Sequence, residues 1–206
     1  SMSLFTAQTD FSEPGELCLY IDESQLAMLE AQMAQTGYLS GHQMSGAFQM
    51  LRSNDLLWSR LLNEYLLGER RPMNDLMAWN ADVTRMPERM HSQYLRQLFL
   101  NDSLSEGHYR VGDRPVALLD IGTPIFSVAT LTDHVAPWRS VHKLHYLTQT
   151  EIHFVLTSGG HNAGIVSEPG HAHRHYRLAH RPAQGPWLPP EAWPAQAALH
   201  EGSWWP

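Results

Sequence analysis

One cysteine, Cys18, stands among the 206 residues. That excludes an intrachain disulfide framework and fits a reducing compartment. No apolar run reaches 18 residues and no charged-then-apolar leader opens the chain, so neither a membrane span nor export is expected, and the cytoplasm is the expected location. Positive charge is scarce: 14 Lys and Arg stand against 21 Asp and Glu, a net charge of −7. Such a balance, without lysine runs or a basic helix, leaves no footprint for nucleic acid and no attraction to an anionic membrane. Internal repeats and low-complexity tracts are also missing. The weightiest absence is chemical. No segment has the Gly-x-Ser-x-Gly pattern of a nucleophile elbow, nor its cysteine counterpart. Cys18 sits in Glu16-Leu17-Cys18-Leu19-Tyr20 without flanking glycines, and reads as a small buried hydrophobe.

What is present suits a globular fold, with 43% hydrophobic and 17% charged residues. A chain of this length forms one compact domain burying about 70% of its unfolded surface, or part of a larger one. Ser1 ahead of Met2 reads as a cloning remnant. Two apolar runs rich in β-branched and aromatic residues, Pro124 to Thr130 and Ile152 to Thr157, have the length of buried strands. Between them Pro137 opens a helical segment with Val141, Leu144 and Leu147 on one face. Strand, helix, strand of this kind makes the strands parallel, and the loops leaving their carboxyl ends emerge on one edge of the sheet. The first loop carries Asp133 and His134; the second carries His161 within Ser158-Gly159-Gly160-His161-Asn162-Ala163-Gly164. Asp133 and His161 are therefore expected to meet. Acid then histidine is the order in which those two triad members follow the nucleophile in an α/β-hydrolase.

Before these strands, Ser3 to Ala7 suggests a short strand. Asp22 caps a helix with Gln25 at the capping-box position and Leu26, Leu29 and Met33 on one face until Gly37. A second helical pattern runs from His42 to Leu51. A third, capped by Ser53 or Asn54, carries Leu57, Trp58, Leu61, Leu62 and Tyr65. Residues 70–87 read as irregular, Glu88 to Leu100 as a helix with Met90, Tyr94 and Leu98 aligned, and 109–111 with 116–118 as a hairpin. The tail after Pro182 reads as an irregular arm. The expected organisation is a core strand in 3–12, a mainly helical insertion over 13–119 and a core with the acid and histidine loops over 120–206. The fold class is α/β: the C-terminal part of an α/β-hydrolase fold, a few parallel core strands with an inserted helical cap over the active-site edge.

Asp133 to Trp138, Phe154 to Leu156, Gly160 to Val166 and the ending Gly202-Ser203-Trp204-Trp205-Pro206 resemble the C-terminal catalytic region of the poly(3-hydroxyalkanoate) polymerases. Leu51 to Trp58 and Trp79 to Thr84 are similar to further segments of that family, so the resemblance spans nearly the whole chain. It implies acyl transfer from 3-hydroxyacyl-coenzyme A to a growing polyester through a Cys-Asp-His triad. The cysteine is expected upstream of this chain, which is expected to be inactive alone. His161 is implied as the base, Asp133 as its partner or as a helper in deprotonating the incoming hydroxyl, and His134 as support. Arg52, Trp79, Asn80 and Tyr94 lie in the family-like insertion segments, where they are candidates for contact with substrate or coenzyme A. The resemblance also implies a homodimer and association with polyester granules. No cofactor is expected, coenzyme A entering as the thioester substrate. Where family members often show Asn-Pro-Pro, this chain has Ser167-Glu168-Pro169-Gly170.

Two rival readings differ in chemistry. An esterase or thioesterase of the same fold would release free acid, and a non-catalytic dimerising or granule-binding module would turn nothing over. His171, His173 and His175 alternate as ligands on an extended segment would. No carboxylate or cysteine completes them and Arg174 and Arg177 oppose a cation, so no metal is expected there; His142 and His145 are read likewise.

Overall fold

A computed structural model describes residues 1–51, 58–69, 72–82 and 84–205 of the chain, and of 49–51, 60 and 80 the backbone alone. The chain divides into two compact units, Ser1–Cys18 with Arg96–Pro206, and Leu19–Leu95.

Strand β1 (Met2–Phe5) comes first, followed by a 3₁₀ turn, Gly15–Tyr20. None of the turn's residues is buried, and Cys18, expected inside, is exposed. A short turn has no continuous apolar face to bury.

The unit Leu19–Leu95 is mostly helical. Helix α1 (Glu23–Thr36) begins as its sequence requires: the Asp22 carboxylate accepts from the Gln25 N–H at 2.8 Å, and Leu26 and Met33 are buried. Gly37 closes it in a left-handed conformation, its N–H donating to the Met33 carbonyl. Strand β2 (Tyr38–Leu39) pairs antiparallel with β3 (Met86–Pro87). Between them lie α2 (Gly41–Leu51), α3 (Ser59–Leu61) continuing into a π-helical turn Leu62–Leu66, and α4 (Asp75–Ala81). The caps expected of the third helix, Ser53 and Asn54, lie outside the described residues, as does Arg52. Helix α4 lies within 70–87, a stretch expected to be irregular; Asn74 starts it by accepting from the Met77 N–H at 2.8 Å. Helix α5 (Glu88–Tyr94) runs on into a π-helical turn, Leu95–Leu100. Its buried residue is His91, followed by Leu95, whereas Met90 is exposed. The inward stripe is thus one position away from the expected Met90, Tyr94, Leu98 line, because α5 packs on α1 within this unit.

The other unit is built on a five-stranded sheet. A small hairpin joins β4 (Arg110–Val111) to β5 (Arg114–Pro115) across Gly112-Asp113, a tighter turn than the expected one, so its second arm ends just before the expected arm, 116–118. Strands β6 (Ile125–Thr130) and β7 (Ile152–Thr157) are the two apolar runs. They pair in parallel from Ile125 opposite Ile152 to Thr130 opposite Thr157, and β1 lies parallel on the other side of β6. Ile125, Val128, Ala129, Ile152, Phe154, Val155 and Leu156 are all buried, each of them but Ala129 stabilising the fold by roughly 1.5–3 kcal/mol. Helices α6 (Trp138–His142) and α7 (Leu144–Leu147) form the crossover, broken at Lys143, with Val141 and Leu144 in the core. Pro137 is the residue just before the first helical turn, where its missing N–H costs nothing.

The remainder of the chain differs from expectation. After α8 (His161–Ile165) comes β8 (His175–Arg181), antiparallel to β7; after α9 (Trp193–Gln196) comes β9 (Ala198–Glu201), antiparallel to β8. The sheet order is β1-β6-β7-β8-β9. The tail is thus an edge extension of the sheet, held by backbone pairing that its polar residues did not announce. Trp193 seals the core beneath it, almost wholly buried. The architecture is a partial α/β-hydrolase fold: three parallel strands carrying the crossover, continued by two antiparallel ones.

Candidate active site

Register alone brings the two loops together. Beyond Thr130 and Thr157 the ladder continues, the Leu131 N–H donating to the Thr157 carbonyl at 2.9 Å and the Thr132 N–H to that of Gly159 at 3.1 Å. The acid loop and the histidine loop therefore leave the sheet tied to each other.

Asp133 lies in the first loop with its side chain fully buried. Its Oδ1 accepts from the backbone N–H groups of Val135 and Ala136, both at 2.8 Å. Oδ2 accepts from the Thr130 hydroxyl at 3.1 Å and lies 2.9 Å from His161 Nδ1. Burial alone would push this carboxyl up. The hydrogen bond with His161, then those from Ala136 and Val135 together with attraction to the imidazole, outweigh it and hold the carboxyl below the ordinary carboxylate range. A carboxylate so satisfied is a fixed negative charge that orients the ring beside it.

His161 is the first residue of α8, and its side chain keeps 31% of its surface open. With Nδ1 committed to Asp133, Nε2 carries no hydrogen bond to any described residue and is the nitrogen available to a substrate proton. The glycines around it act sterically. Gly159 has φ +108, a conformation closed to side chains, and a Cβ there would strike Arg174. A Cβ on Gly164 would lie 2.6 Å from Thr130 Cγ2, so α8 rests directly on β6 beside the residue that bonds Asp133. The last turn of α8 is capped from the chain's end. Trp204 Nε1 donates to the Gly164 carbonyl at 3.2 Å and Trp205 Nε1 to that of Ile165 at 2.9 Å, while Ser203 Oγ donates to the Ser167 carbonyl. In sequence these indoles belong only to the family-like ending Gly202 to Pro206, and an apolar-looking Ser-Trp-Trp gives no hint of which carbonyls it will satisfy.

His134 follows Asp133 in the same loop, partly buried, and is not a member of the Asp133–His161 bond. Trp79, on α4, is exposed, and nothing is described of the Asn80 side chain. Tyr94 ends α5, and burial pushes its phenol up. Both Trp79 and Tyr94 belong to the unit Leu19–Leu95, Asp133 and His161 to the other. The alternating histidines do not line one face. His173 has φ 61, outside the extended range, and His171 Nδ1 is bonded to Glu168 Oε1 at 2.9 Å.

The pair can accept a proton at Nε2 and stabilise the resulting imidazolium through Asp133.

No family model matches the chain. It is 41% identical over all of its 206 residues to a poly(3-hydroxyalkanoate) polymerase of Methylorubrum extorquens, covering 34% of that protein. It is 40% identical over its full length to the poly(3-hydroxyalkanoate) polymerase subunit PhaC of Rhizobium meliloti, covering 33%, and 32% identical to that of Cupriavidus necator, covering 35%. The chain spans about a third of the length of the curated relatives it matches.

Proposed function

This chain is related from end to end to the C-terminal region of the poly(3-hydroxyalkanoate) polymerases, and on that premise we propose that it supplies the acid and base of a Cys-Asp-His acyltransferase whose cysteine lies outside these residues. The observation that carries the reading is the 2.9 Å bond between buried Asp133 and partly open His161. His161 Nε2 takes the thiol proton as the thiolate attacks the carbonyl carbon of a 3-hydroxyacyl-coenzyme A. The thioester bond to coenzyme A breaks, the proton passes to the departing coenzyme A thiolate, and the acyl group is left on the cysteine. His161 next takes the proton of a hydroxyl, whose oxygen attacks the new thioester. An ester bond forms, the cysteine sulfur leaves, and the proton returns to it. Asp133 fixes the ring with Nδ1–H toward itself throughout. Coenzyme A enters as part of the substrate, and the chain's own task is proton transfer.

A base without its nucleophile forms no acyl intermediate, so the 206-residue chain alone turns over no 3-hydroxybutyryl-coenzyme A. In the complete gene product, His161→Gln is expected to lower coenzyme A release by about 10³-fold or more, and Asp133→Asn by about 10²-fold or more. Turnover near the unsubstituted level in His161→Gln would overturn the assignment. Free hydroxy acid in place of polymer would favour the hydrolase reading instead.

A further inference from the structure

At the end of β7 remote from His161, strand pairing sets His153 opposite His180 on β8. Their rings stack with centroids 4.4 Å apart and planes at 25°. Glu151, just before β7, reaches both: its Oε1 lies 2.9 Å from His180 Nε2 and 4.0 Å from His153 Nδ1. One nitrogen from each imidazole and one carboxylate oxygen thus lie within 4.8 Å of one another.

We propose that Glu151, His153 and His180 form a binding site for a divalent transition-metal ion, with zinc the fitting case. Two imidazole nitrogens and a carboxylate oxygen are a zinc donor set, leaving a fourth position for water. Around a tetrahedral ion with bonds of about 2.1 Å the ligand atoms stand about 3.4 Å apart. Contraction from 4.0 Å and at most 4.8 Å is within reach of side-chain rotation, because the β7–β8 ladder already fixes both backbones. The three side chains are 39–47% open, so an ion can enter.

Neighbouring cations face elsewhere. Arg181 follows His180, and strand alternation sends it to the opposite face, where its guanidinium donates to the carbonyls of His145, Thr148 and Thr150. Arg177 donates to the carbonyls of Pro194 and Ala197. The chain's net charge of −7 favours cation uptake. A bound ion would cross-link two strands of the sheet and stabilise the folded state by mass action. The site shares no residue with the Asp133–His161 pair and does not depend on the acyl-transfer reading.

The test is calorimetric titration of the metal-free 206-residue chain with zinc chloride. The expected result is one equivalent of tight uptake, weakened about tenfold or more by His153→Ala and by His180→Ala, and unchanged in a His171→Ala/His173→Ala control. Zinc should raise the melting temperature of the unsubstituted chain and leave that of His153→Ala in place. Should His153→Ala fail to fold, His153→Gln carries the same expectation. No uptake by the unsubstituted chain, or equal uptake by the His153 and His180 variants, would overturn the proposal.

Discussion

Asp133 is the residue whose surroundings say most about its role. Four donors converge on one buried carboxylate: two backbone N–H groups from its own loop, a hydroxyl from the end of β6 and an imidazole from the next loop. Leaving any of them unmade would cost about 1–3 kcal/mol of desolvation. The arrangement therefore holds the charge in place as well as the ring. An aspartate that only closed its own loop would need only the Val135 and Ala136 bonds. Here those bonds use Oδ1 and leave Oδ2 to Thr130 and His161, so closing the loop and orienting the ring are divided between the two oxygens. Thr130, three residues before Asp133, is the positioning residue that sequence reasoning passed over, because a strand-ending threonine reads as β propensity and nothing more.

At the scale of elements, the site depends on how closely α8 approaches β6. Gly164→Ala drives a Cβ to 2.6 Å from Thr130 Cγ2, and is expected to destabilise this unit by about 1–3 kcal/mol. Thr130→Ser removes that methyl and keeps the hydroxyl that bonds Asp133. The double variant should recover much of the loss, a coupling that urea unfolding of the four proteins in a cycle would measure. Strict additivity would mean the helix does not rest on Thr130. The elements that were legible in the sequence are those whose physics is local or one-sided. Asp22 and Gly37 delimit α1 by capping, and the runs of β6 and β7 are mainly apolar because all but the second residue of each is buried. Helix α4 was hidden between Pro72 and Pro87, although Asn74 before Asp75 is an N-cap signal. Strands β8 and β9 were hidden because His175-Tyr176-Arg177-Leu178-Ala179-His180-Arg181 and Ala198-Leu199-His200-Glu201 mix polar and apolar residues and owe their pairing to partners distant in sequence. The Asp133–His161 meeting was legible because a parallel crossover fixes which edge both loops leave; the Trp204 and Trp205 caps were not, being tertiary contacts without a local pattern.

For the molecule as a whole, acid sensitivity follows from its buried histidines. His142 and His145 stack 4.2 Å apart against Phe154, and each leaves Nε2 buried without a hydrogen-bond partner among the described residues. Desolvation pulls His142 down to about 4, with Glu191 opposing and Arg181 assisting. Desolvation, then His142 and Arg181, pull His145 down to about 3. Because these folded-state values lie below the ordinary 6.5, the unfolded chain binds protons first as pH falls. Stability is full above about pH 6.5 and declines toward pH 4. His91 in the helical unit is lowered by desolvation and acts in the same direction. The lowered carboxyls of Asp10 and Asp133 act in a separate window: their contribution is present above the ordinary carboxylate value and is lost only as pH drops through their lower folded values. Between pH 7.5 and 5 the unfolding free energy should fall by about 2–4 kcal/mol, and His142→Phe, which suits the aromatic cluster, should remove a substantial part of that fall. Urea titrations at the two pH values check it; an unchanged slope in His142→Phe would assign the sensitivity elsewhere. Among the described residues no helix is long and apolar enough to cross a membrane.

The central claim is that Asp133 holds His161 with Nδ1–H inward and Nε2 free to take a proton. Nitrogen-15 NMR of the histidine side chains in this chain, at a pH where the ring is neutral, reads that tautomer directly. The account predicts an Nδ1-protonated His161 with a downfield Nδ1–H resonance that moves upfield or vanishes in Asp133→Asn. A ring protonated at Nε2, or a resonance indifferent to Asp133→Asn, would contradict it.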